Sequence, residues 1–82
     1  VIIQTHFNKL NLLKRFNANS NNEIAEILGN CKIHLESGTG GNATLFLNNQ
    51  ARYHSNIHGN NHWRAILMME LASHPDLMYW LS

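Results

Sequence analysis

Residues 31–57 read CKIHLESGTGGNATLFLNNQARYHSNI, and the periodicity assigned to this stretch decides the fold. From Cys31 to Glu36, the apolar Cys31, Ile33 and Leu35 alternate with Lys32, His34 and Glu36. That period of two predicts a half-buried strand. The run Ser37-Gly38-Thr39-Gly40-Gly41-Asn42 predicts a flexible turn. Ala43, Leu45 and Leu47 then share one side of a second strand, with Phe46 opposite. Asn48-Asn49 can adopt positive φ and close a tight hairpin. A third strand returns from Ala51 to Ile57, with Ala51, Tyr53, Ser55 and Ile57 on one face and His54 on the other.

Helical spacing flanks this region on both sides. Between Thr5 and Asn17, Phe7, Leu10, Leu13 and Phe16 form one stripe with Leu12 beside it. Lys14 and Arg15 suit the carbonyl end of such a helix. Val1-Ile2-Ile3 reads as a short strand or an apolar lead-in, and Asn17 to Asn22 as a helix–helix connection. Ser20 and Glu23 form a capping-box pair. Ile24, Ile27 and Leu28 follow on one face, and Gly29 stands where a left-handed stop belongs, giving about two turns. After Gly59-Asn60-Asn61, the run HWRAILMMELAS from His62 to Ser73 predicts a helix apolar on most sides. Pro75 and Asp76 suit the start of a terminal turn carrying Leu77-Met78-Tyr79-Trp80-Leu81. The expected fold is therefore α+β, a single small domain over residues 1–82. It has a three-stranded antiparallel meander packed by a long C-terminal helix, with two N-terminal helices.

Composition narrows the function. The chain has 82 residues, a net charge of +1 and only 13% charged residues, about half the usual share of roughly 25%. A strongly basic nucleic-acid binder is excluded on that balance, and nucleic acid is not an expected partner. One cysteine, Cys31, excludes an internal disulfide and fits a reducing compartment. No apolar run approaches 18 residues, so no membrane span is expected and the domain reads as soluble. No signal peptide is legible, and the opening valine leaves room for a processed start or a piece of a larger assembly. Thirteen asparagines and six histidines carry much of the surface hydration. Asparagine hydrogen-bonds in both directions but repels nothing, so the chain has a weak electrostatic guard against association.

Two constellations could carry function. Trp63, Leu67, Met68, Leu77, Tyr79 and Trp80 form an apolar C-terminal set that so small a domain is not expected to hide completely. They predict a non-enzymatic protein-binding or self-associating module, its partner another protein or a second copy, with no cofactor. The other set is His34, His54, His58 and His62. His54, His58 and His62 are spaced by four, and Cys31-x2-His34 followed by His54-x3-His58 offers a donor set acceptable to zinc. His34, Asn49, His58 and His62 also resemble the HNH, or ββα-metal, nuclease arrangement. That resemblance covers roughly Ile33 to Trp63. It implies that His34 activates water, Asn49 orients it, and His58 and His62 hold a divalent metal. The pattern departs from the family beside the first histidine, where Ile33 and Leu35 stand in place of a second ligand. The alternative expectation is thus a metal-dependent HNH-like nuclease or a zinc-stabilised domain.

Gly38-Thr39-Gly40-Gly41 lacks the lysine of a phosphate-binding P-loop, and Asn42-Ala43-Thr44 fits a glycosylation sequon. Cys31, in phase with Ile33 and Leu35, reads as a small buried apolar residue.

Overall fold

The computed structural model describes residues 9–16, 21–38, 41–59 and 61–81. The readings of Val1-Ile2-Ile3, Phe7 and the capping Ser20 lie outside the described residues, as do the side chains of Leu10 and Leu13. Among the described residues every regular element is a helix: α1 Lys9–Phe16, α2 Asn21–Glu36, α3 Ala43–His58, α4 Trp63–Ala72 and α5 Leu77–Leu81. The expected α+β fold with its three-stranded meander is overturned, because all three candidate strands lie inside α2 and α3.

The first strand fails because α2 does not stop at Gly29. It runs through that residue to Glu36, and the left-handed backbone needed for a stop falls at Gly38 instead, with φ +75°. The buried side chains Ile24, Ile27, Leu28 and Cys31 continue one helical stripe, with Leu35 partly buried at its end. Ile33, assigned to the inner face of the strand, is 66% exposed on the far side of α2. Ser37 closes the helix, its amide donating to the Ile33 carbonyl at 2.9 Å and its hydroxyl to the His34 carbonyl at 2.6 Å.

The second and third strands merge into α3, with Asn48-Asn49 as exposed helical residues rather than a turn. Asn42 fixes the start. Its side-chain oxygen accepts from the amides of Thr44 at 2.8 Å and Leu45 at 3.2 Å, satisfying donors that the helix leaves open. Ala43, Leu47 and Ala51, four apart, are buried. Leu45, Tyr53 and Ile57, which a strand would turn to the same side as those three, are more than half exposed. A spacing of four belongs to both periods; the residue at i+2 separates them, and here it points outward.

The largest inter-helix contact joins α3 to α4, which return on each other as a helical hairpin. At its open end the Thr44 hydroxyl donates to the Ala72 carbonyl at 3.2 Å. At its closed end Gly59 caps α3 with φ +93°, its amide donating to the Ser55 carbonyl at 2.8 Å. Alanines at 43, 51, 65 and 72 are all buried and let the two backbones approach. The helices α2 and α5 pack against α3, while α1 packs against α2 and α4. The body measures 35 × 31 × 19 Å, so its thin dimension is about two helix diameters. No helix among the described residues is long and apolar enough to cross a membrane.

The helical register makes a direct prediction. Leu47→Ala should cost about 2–5 kcal/mol in denaturant unfolding, because it empties a fully buried site. Leu45→Ala, two residues away, should stay within about 0.5 kcal/mol of the parent. Equal losses at both positions would instead indicate a strand.

Candidate functional site

The four expected metal ligands do not come together. His34, on α2, stacks on Phe46 in the first turns of α3, with ring centroids 4.2 Å apart. Phe46 precedes His54 by eight residues, about 12 Å along the helix axis. Asn49 is exposed on the outer face of α3. The strand-borne histidine and the orienting asparagine that the HNH resemblance requires are thus on separate helices, with no ββα frame to join them. Cys31 is also withdrawn from any donor set. It is fully buried in the core, 4.0 Å from the Ala43 carbonyl, and burial pushes its thiol pKa up. Among the described residues no group of three or more His, Cys, Asp or Glu is placed to hold a metal ion.

Three of the histidines do converge, at the closed end of the hairpin. His54 and His58 project from the last turns of α3, and His62 is the N-cap residue of α4. Their ring centroids lie 5.9 Å (His54–His58), 5.8 Å (His54–His62) and 4.6 Å (His58–His62) apart, with interplanar angles of 19°, 4° and 23°. The rings are stacked. With all three centroid pairs 4.6–5.9 Å apart, the rings form a triangle of near-parallel planes and not a single column. Trp63 stacks outside His62 at 6.5 Å, and Tyr53 meets His54 edge-on at 5.8 Å. His62 makes no side-chain capping bond, and the Nδ1 atoms of His54 and His62 are enclosed without a hydrogen-bond partner. Burial first, then the charge of Arg64 and the two neighbouring imidazoles, pulls the His54 pKa down.

Arg64 anchors the same corner. Its guanidinium bridges Glu23 at 2.5 Å and Glu26 at 2.8 Å, both on α2, and its side chain is largely enclosed. A cavity of about 50 Å³ lies beneath, lined in part by Asn30, Gln50, His54 and Arg64. That is room for water and not for a metabolite. A second ion pair, Arg15 to Glu70 at 2.6 Å, ties α1 to α4; Glu70 also faces His74 at 3.8 Å.

The apolar C-terminal set divides. Leu67, Met68 and Leu77 are buried in the core and present nothing to a partner. Trp80 packs partly against that core. Trp63 is 38% exposed and Tyr79 66% exposed. The outward residues that sequence reasoning placed inside are Leu45, Tyr53 and Ile57 on α3, with Ile33 on α2. Their helical phase, opposite Ala43, Leu47 and Ala51, was the signal that could have found them. The sequon at Asn42 coincides with the cap of α3, where its side-chain oxygen is already engaged.

No family model, curated protein or solved structure matches this chain.

Two measurements probe this corner. Arg64→Met should lower stability by about 1–2 kcal/mol, since it leaves Glu23 and Glu26 facing each other without their shared cation. Cys31 should resist thiol reagents in the native chain and react at once in denaturant; rapid native labelling would contradict its burial.

Proposed function

We propose that this chain is a protein-docking module that associates through exposed apolar side chains, with a second copy of itself as the first partner to test. The observation that carries the reading is the outer face of α3. Leu45, Tyr53 and Ile57 recur there at multiples of four residues and are 58%, 59% and 54% exposed. Asn48, Asn49 and Asn56 are exposed between them, and Arg52 is the one charged residue of α3. A face of this composition is apolar enough to gain from burial and too weakly charged to repel. Asparagine both donates and accepts, so such a face can oppose its own copy across a two-fold axis. Tyr79 and Met78 on α5, and Trp63 at the head of α4, add further exposed apolar surface in the C-terminal region.

The thin shape of the molecule supports the same reading. A body two helices deep has limited interior, and eight large apolar side chains among the described residues remain substantially exposed. Isolated exposed apolar residues are ordinary; three on one helix face are the feature that favours a partner.

Light scattering across a dilution series tests this. The parent chain should exceed its monomer mass of 9.4 kDa when concentrated and return to it on dilution. Tyr53→Asp with Ile57→Asp should be monomeric throughout, with unfolding free energy changed by less than about 1 kcal/mol because both sites are exposed. A parent that stays monomeric at its highest attainable concentration would remove the self-associating reading.

A further inference from the structure

The histidine stack at the closed end of the hairpin has a consequence independent of docking. We propose that His54, His58 and His62 form a proton-sensitive clasp between α3 and α4: neutral, the three rings stack and hold the turn; protonated, they repel one another and Arg64, and the turn loosens.

The geometry supplies the mechanism. Three imidazoles with centroids 4.6–5.9 Å apart can stack when neutral, but two or three cations at that spacing repel. Arg64 adds a permanent positive charge at the same corner, acting on His54. Among the described residues none of the three histidines forms an ion pair with a carboxylate; Glu23 and Glu26 of α2 are engaged by Arg64. The other groups turned toward the stack are neutral: Tyr53 on α3 and Trp63 on α4 by ring contact, with Asn30 and Gln50 lining the cavity that His54 shares. From α1 and α5 no charged group enters an ion pair with the stack among the described residues.

Hydrogen bonding acts in the same direction. A neutral imidazole carries one N–H and one bare nitrogen, whereas the cation carries two N–H groups. The Nδ1 atoms of His54 and His62 are enclosed without a partner, so a proton placed there finds no acceptor.

The pH dependence follows from the lowered His54 pKa. Well above about pH 6.5, folded and unfolded chains both carry the neutral ring and stability does not depend on it. As pH falls through that value the unfolded chain takes up the proton while the folded chain resists. Stability is therefore lost progressively on acidification, until pH passes below the folded-state value. The clasp is closed near neutrality and weakened in mild acid.

The test is an NMR titration of the histidine rings in the whole chain, with EDTA present, from about pH 8 down to about pH 5.5, above the range where carboxylates titrate. The His54 midpoint should lie below about 6.5 and rise when His58→Gln or Arg64→Met removes a neighbouring charge. His34→Gln, at the other end of the helices, should leave it in place. A His54 midpoint at or above the ordinary value, or one indifferent to its neighbours, overturns the proposal. Thermal unfolding gives a second readout. The parent should lose thermal stability across the same pH interval, and the double variant His58→Gln, His62→Gln should lose less, keeping only the part due to burial of His54 and to Arg64. A double variant that keeps the full acid sensitivity also overturns it. Should that variant fail to fold, the titration of the parent rings still decides.

Discussion

Close approach of α3 and α4 is the constraint on which the rest of this structure depends. The two helices form the largest contact in the fold and bury alanines at 43, 51, 65 and 72 beside Leu47, Leu67 and Leu71. Small residues at a helix crossing let backbones approach, and the neighbouring leucines then interlock. Each remaining helix is placed by reference to this pair. The N-terminal half of α2 is tied to α4 through Arg64, and its C-terminal half meets the start of α3 at Cys31. The short α5 closes the core by burying Leu77 and Leu81.

A hairpin needs both of its ends defined, and the sequence does this with different chemistry at each. The open end uses the Asn42 cap and the Thr44–Ala72 hydrogen bond, which are neutral and indifferent to pH. The closed end uses Gly59, a residue able to hold φ +93°, and the three stacked imidazoles. Imidazoles lie at both ends: His34 stacks on Phe46 and His74 faces Glu70 near the open end, while His54, His58 and His62 gather at the closed one. The outer face of α3 runs the length of the same hairpin, from Leu45 beside the open end to Ile57 beside the closed one.

Parts of this were legible in the residues. The run from His62 to Ser73 is read as a helix because it lacks glycine, proline and most β-branched residues, and α4 occupies all but its first and last positions. The spacing of His54, His58 and His62 marked a cluster, although its members meet by stacking across a turn and not by shared coordination. The burial of Cys31 was expected from its phase with Ile33 and Leu35; the helix keeps Leu35 on its side and turns Ile33 outward. The misreading lay between Cys31 and Ile57. There, apolar residues four apart satisfy both periods, and Gly29 just before it and Asn48-Asn49 within it supplied plausible but unused breaks.

The sequence by itself determined that the run around residues 63–72 is helical, which residues carry charge, and that His54, His58 and His62 are spaced by four. Tertiary structure decided whether positions 45, 53 and 57 face inward or outward. It also decided which of the C-terminal apolar residues are spent in the core. The physical reason is that Ala43, Leu47 and Ala51 gain burial only if α4 lies against them, and no local propensity contains that partner. Once the partner helix is in place, the helical phase wins over the alternating one, and Leu45, Tyr53 and Ile57 are turned to the surface.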